Sequence, residues 1–441
     1  MFFKAEGSAP HIPSSLEIIQ EFADTHYPDL SLTSKMMEQL LWLQTNSVNT
    51  SQSNVQTKKG PVNLEVKRIL SRLYCLTLLE MGGTASYALF IQAQRRDNVL
   101  SEVNFNRLSA FIQALTPASR QCLMATCFIT KSDQAIAAVP VEQRSALPAD
   151  SEQFITHMVT RHANLFPICH LLNEEERHLL PYAFYKNAHA RQMLDMEGGY
   201  NMVSSIAEAI RTRHISFEQF NLWFARWIIN ITGLDGAVNP KGSVYLTEPV
   251  ADCIFALKLE LDQLWLNPQH QVLDHYLLFR AEQLNVSNRY VAYFGALMRQ
   301  YTPSVGREIQ NWFSSLPEHE QLEHQAVFVR QLAETKVTPS FKPTVLVTLL
   351  DIGRTIADAL TIFTQIESNA IQTYTAAVEA EQISATTPLS FRKIAFEELL
   401  SPIVEYYDLH NKLPEFEMNS GGELIVTSLA LQNRSQLTFP L

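Results

Sequence analysis

Helix starts recur along this chain so often that few fold classes remain open to it. "TPAS" at Thr116 sets a proline just inside a hydroxyl cap. "NEEE" at Asn173, "SFEQ" at Ser216 and "SLPE" at Ser315 have the pattern of capping boxes. In such a box the first side chain and the one three residues on satisfy each other's free backbone amides. Apolar residues then return at helical spacing, as in Phe217, Phe220, Phe224, Trp227 and Ile228. Glycine, which costs about 1 kcal/mol against alanine inside a helix, supplies only 14 of 441 residues. The expected fold is all-α and multi-helix, with on the order of fifteen or more helices.

A chain this long exceeds what one core supports, so two or three packed helical subdomains are expected. "AIAAVPVEQRSALPAD" (135–150) reads as a linker and "VTPSFKP" (337–343) as a second break. The resulting division is 1–134, 151–336 and 343–441. The first part carries a polar, unpatterned loop at 45–61 that reads as mobile, and the second holds the 233–247 loop. The third is expected to be a long helix running to about residue 383, a further helix and a β-like tail. That tail, "ELIVTSLALQNRSQLTFPL" after "NSGG", is rich in β-formers and reads as a short hairpin closing around residues 432–435.

Charge and hydropathy narrow the partners. With 34 basic against 45 acidic residues the net charge is -11, and no dense basic run with interleaved aromatics occurs. That argues against nucleic acid, whose phosphates need a basic face. The longest apolar helical stretch, "VLVTLLDIGRTIADALTIF", is interrupted by Asp351, Arg354 and Asp358. Those three fall on one helical stripe, where Arg354 can pair with either carboxylate, so no integral membrane segment is expected. "MFFKAEGSAPHIPSS" has no apolar core of a signal peptide. Cys75, Cys122, Cys127, Cys169 and Cys253 are odd in number and sit mostly among apolar neighbours, as small buried hydrophobes do in a reducing compartment. A cytoplasmic protein is expected.

Familiar chemistries are absent from the sequence. There is no Gly-x-Ser-x-Gly, Walker A or Gly-x-Gly-x-x-Gly pattern and no Cys-x-x-Cys. "HEQLEH", from His319 to His324, places its second histidine at i+5, off the face a zinc protease requires. Six of the 13 histidines lie between His157 and His214, at spacings too wide for one helical face, and Glu175-x-x-His178 is the single Glu-x-x-His. Neither a metal nor a cofactor is expected.

Two segments are chemically richer. "KNAHARQMLDMEGGYNM" offers His189, Arg191, Asp195 and Glu197 beside a Gly-Gly pair, or it is a helix end with its left-handed glycine. "NITGLDGAVNPKGSVYLTEP" (230–249) offers Asp235, Asn239, Lys241 and Ser243 among three glycines. Gly233 stands where a left-handed helix terminus belongs, Asn239 to Gly242 suit a type I turn, and Thr247 precedes the next helix as its cap. The loop is longer than those turns need, so it is either a connector or a binding loop whose glycines expose backbone N–H groups.

Residues 230–258, ending "GSVYLTEPVADCIFALK", resemble a segment of uncharacterised helical proteins of Legionella-type intracellular bacteria. The resemblance implies a type IV secreted effector, and the apolar ending "LTFPL" suits its export signal. A dense glutamate cluster upstream of that ending is missing, and no catalytic residue carries over. The expected function is protein–protein interaction. The alternative is an enzyme of unfamiliar type with its site between segments 186–200 and 233–247; a small-molecule ligand is not specified.

Overall fold

The computed structural model describes residues 14–44, 61–130, 133–147, 151–185, 188–198, 200–234, 236, 238–333, 344–385, 387, 389–391, 393–394 and 399–426. Among them are 21 α-helices and one two-stranded antiparallel sheet, so the all-α reading holds. No described helix is long and apolar enough to cross a membrane.

The chain forms two compact units, each built from two stretches: Met1–Lys186 with Ile215–Asp252, and Asn187–His214 with Cys253–Leu441. This differs from a division at 135–150. That stretch carries the short helices Asp133–Ala138 and Val141–Arg144 inside the first unit. The reason is packing across it, since Pro117–Phe128 lies against Glu174–Ala183. Residues 337–343 and the 45–60 part of the polar loop lie outside the described residues.

The first unit is organised around Leu64–Met81, a helix buried on nearly every side, down to Lys67 and Ser71. It packs on Glu102–Gln113, Gly83–Phe90, Pro117–Phe128 and Phe217–Thr232. An apolar stripe this wide needs neighbours all round. The Arg226 guanidinium, 8% exposed, lies 4.2 Å from the Phe184 ring centroid and 4.5 Å from that of Trp227, which covers the charge with π faces.

Caps set the helix starts as expected at Thr116, Asn173 and Ser216, each accepting the N–H three residues on. A further box at Ser14 and Glu17 has the same form. "SLPE" does not cap: Ser315 ends the helix Pro303–Ser315 and donates to the Trp312 carbonyl at 2.7 Å. The next helix, Glu318–Ala333, begins instead behind Pro317, whose carbonyl accepts from Gln321.

In the second unit Val272–Leu284, Arg289–Leu297 and Pro303–Ser315 pack together, and the last of these meets Ile356–Glu379. Phe294 meets Tyr290, Trp312 and Phe363 there edge to face, and Phe313 packs tilted against Tyr290. The long helix expected after residue 343 is two helices, Val345–Asp351 and Ile356–Glu379. Gly353 turns the chain at φ +91 and Thr355 recaps it, its hydroxyl accepting from Asp358 N–H at 3.2 Å. The break takes Arg354 off the expected stripe and pairs it with Asp408.

The sheet pairs Phe416–Met418 with Leu424–Val426, registering Phe416 opposite Val426 and Met418 opposite Leu424. "NSGG" is therefore the hairpin turn, with Asn419 Oδ1 accepting the Gly421 and Glu423 amides. The first strand packs on Ile356–Glu379, which gives so small a hairpin the support it needs. A hairpin around 432–435 would lie outside the described residues.

Candidate functional site

The two chemically rich segments fall in different units, 233–247 in the first and 188–198 in the second, and each is tied into its own unit.

The 233–247 loop begins where Phe217–Thr232 ends. Gly233 has φ -88, so it is not the left-handed terminus expected there. Glycine is required instead by proximity: a Cβ would sit 2.2 Å from Arg72 Cγ and 3.2 Å from the Arg68 carbonyl oxygen. Gly242 does have a left-handed backbone, φ +76, and it presses on the Leu89 and Phe90 carbonyl oxygens, each 2.4 Å from where a Cβ would stand. Its N–H points back to the Pro240 carbonyl at 3.2 Å, and Asn239 Oδ1 accepts the Lys241 N–H at 3.2 Å. Ser243 is fully buried: its N–H donates to Phe90 O at 2.8 Å and its Oγ accepts from Leu246 N–H. Gln94 bridges the loop from the other side, donating to the Ser243 and Leu246 carbonyls at 2.9 Å each. The amides of Leu234, Gly236, Lys241, Gly242, Ser243, Leu246 and Thr247 thus all have internal acceptors. A backbone anion nest, which needs such N–H groups free, is not what these glycines build. Glu248–Asp262 then starts directly after Thr247, with Pro249 in its first turn.

What the loop leaves outside is its tip. Val238 is 64% exposed, Asn239 is half-buried and Lys241 is exposed, with no carboxylate partner among the described residues. The Lys241 ammonium, after burial and Lys67, helps hold the His26 imidazole below its ordinary pKa. Asp235 lies outside the described residues. Beside the tip runs Gly83–Phe90, whose Ala85, Ala88 and Leu89 share one outward, exposed face. No charged residue occurs from Met81 to Gln94. Sequence reasoning passed over this helix; an uncharged run of that length was the available signal.

In the second unit His189 is the cap of Ala190–Leu194, its Nδ1 accepting from Gln192 N–H at 3.3 Å. Arg191, Asp195 and Glu197 come together as sequence reasoning grouped them, but around Arg299, which it missed. Arg299 Nε stands 2.9 Å from Asp195 Oδ2, and another of its guanidinium nitrogens 2.6 Å from Glu197 Oε1. Arg191 Nε is 3.5 Å from Asp195, and the Thr344 N–H donates to Glu197 at 3.0 Å. The helix end is left-handed at Met196, φ 55, rather than at a glycine, and the Glu197 N–H closes it on the Gln192 carbonyl. Arg299, also at φ 55, ends the facing helix in the same way. Burial raises the Asp195 carboxyl against the pull of Arg299 and Arg191. Burial and the Asp195 charge raise that of Glu197. With both carboxylates buried and clamped by one fork, the cluster is built to hold helix ends together.

The five cysteines are buried free thiols. Burial pushes Cys75, Cys127 and Cys169 up to about 12, so they are poor nucleophiles. Among the described residues one group could hold a metal: Glu260, His270 and His275. No protein-family model matches the chain, and neither a curated protein nor a solved structure does.

Proposed function

We propose that the protein acts by binding another protein, through the outward face of Gly83–Phe90 together with the loop tip at Val238, Asn239 and Lys241. The observation that supports this reading is an exposed helix face of Ala85, Ala88 and Leu89 with no charged residue from Met81 to Gln94, edged by the exposed Lys241. Contiguous apolar faces rimmed by polar residues mark interaction sites more often than singly scattered apolar residues do. The fitting partner is an amphipathic helix, apolar toward Leu89 and acidic toward Lys241, since a helix in a groove is read through side chains one turn apart.

A photo-crosslinking residue at Ala88 of the full chain tests this in the cells where it acts. A discrete protein adduct is expected, and Leu89→Asp and Lys241→Glu should each remove it while melting stays unchanged. No adduct, or one indifferent to both substitutions, would refute the surface.

Delivery into a host cytosol, which the resemblance of residues 230–258 implies, belongs to the same proposal. With a translocation reporter at the N-terminus, host-cell signal is expected from the full chain and should vanish without residues 437–441. Equal signal from both, or from neither, counts against export.

A further inference from the structure

We propose that Glu260, His270 and His275 bind one divalent transition-metal ion of the zinc class. The site is assembled by a helix, a short reversal and a second helix. Glu260 lies in the last turn of Glu248–Asp262, where the helix carbonyls favour a cation. The chain runs on through the turn Gln263–Trp265 and reverses over residues 266–271. Asn267 pins that reversal: its side-chain oxygen accepts the Gln269 N–H at 3.1 Å and its carbonyl the His270 N–H at 2.9 Å. His275 follows in the first turns of Val272–Leu284. All three residues belong to the second unit.

Three ligand atoms converge there, all within 4.8 Å of one another. Glu260 Oε2 stands 2.6 Å from His270 Nε2 and 3.3 Å from His275 Nδ1, and the imidazoles cross at 86° with centroids 4.6 Å apart. A tetrahedral zinc with bonds of about 2.1 Å sets its ligand atoms about 3.4 Å apart. The Glu260–His275 separation already matches that spacing, and Glu260 and His270 need part by less than about 1 Å to reach it.

An ordinary ion pair accounts for less of this geometry. One pair needs one histidine, and only the His270 contact is a hydrogen bond; the His275 nitrogen faces the same oxygen without that alignment. The adjoining acids are engaged elsewhere, Asp262 with Lys258 and Asp274 with Arg289, which leaves Glu260 as the carboxylate of the cluster. Glu260 and His270 are 19% and 15% exposed but His275 is 49% exposed, so the fourth position of a bound ion opens to solvent. Two imidazoles and one carboxylate select zinc, cobalt or nickel over magnesium and calcium, which take oxygen ligands. Histidines on consecutive elements, ten and fifteen residues after a glutamate, gave no motif to recognise because the turn between them sets their distance.

The test uses the untagged full chain, stripped with chelator and titrated with cobalt(II) followed by its visible absorption, and with zinc by calorimetry. One equivalent of each is expected, with a tetrahedral cobalt spectrum, no displacement by excess magnesium and weaker binding as pH falls, because the ligands must be deprotonated. Glu260→Gln, His270→Ala and His275→Ala should each weaken binding at least tenfold, whereas exposed His319→Ala should leave it unchanged. His275, the most exposed of the three, guards against misfolding: its variant should melt like the parent in chelator and lose the zinc-induced rise in melting temperature. Absence of stoichiometric binding, or binding that survives all three substitutions, would overturn the site.

Discussion

Replacing Arg299 with leucine should lower stability by about 3–5 kcal/mol, because it strands two buried carboxylates that no other group can fully neutralise. In a unit of this size that corresponds to a fall in melting temperature on the order of 10 °C. Arg299→Lys should recover only part, since an ammonium cannot span Asp195 and Glu197 as the planar fork does. Adding Asp195→Asn and Glu197→Gln to the leucine variant should restore much of the loss by removing the stranded charges. The deficit should also depend on pH. Burial already raises both carboxyls above their unfolded values, and losing Arg299 raises them further. The folded variant then holds these protons more tightly than the unfolded chain does. Stability from that source is present near pH 4 and is lost as pH rises, so the leucine variant should compare best with the parent in acid and worst at neutrality. A variant that melts like the parent at neutral pH would show that the cluster does not hold the helix ends.

Gly242→Ala should also be costly. The left-handed backbone at φ +76 penalises any Cβ by about 1–2 kcal/mol. That Cβ would also meet two carbonyl oxygens at 2.4 Å, and relieving such overpacking costs about 1–3 kcal/mol more. Lys241→Ala, one residue away and exposed, should change stability by less than about 0.5 kcal/mol. Thermal or urea denaturation of the two variants separates the loop's anchored part from its free tip. Equal melting of both would contradict the docking of this loop on the Leu89 and Phe90 carbonyls.

Part of the loop's conformation was legible in the sequence. The helix start after Thr247 follows from local chemistry. The type I turn expected over Asn239 to Gly242 is not closed by the Asn239 carbonyl, because the Gly242 N–H donates to that of Pro240, and the need for glycine at 233 was not legible either. That need comes from Arg72, more than 150 residues earlier in the chain, arriving within 2.2 Å of where a Cβ would be. The break at Gly353 was legible too, as a glycine followed by "TIAD", a cap with its acidic partner. Apolar periodicity on both sides masked it, because a stripe can continue across two helices that pack on the same neighbour.

By itself the sequence determined the helical class of the protein and several helix starts, since caps, helical spacing and scarce glycine act within a few residues of one another. Thr116, Asn173 and Ser216 cap as read for that reason. Only the tertiary structure decided which distant groups meet: Arg299 between Asp195 and Glu197, Gly242 under Leu89 and Phe90, Glu260 beside His270 and His275. Those pairings depend on how whole helices pack, and packing is set by the summed fit of many side chains that no local spacing records.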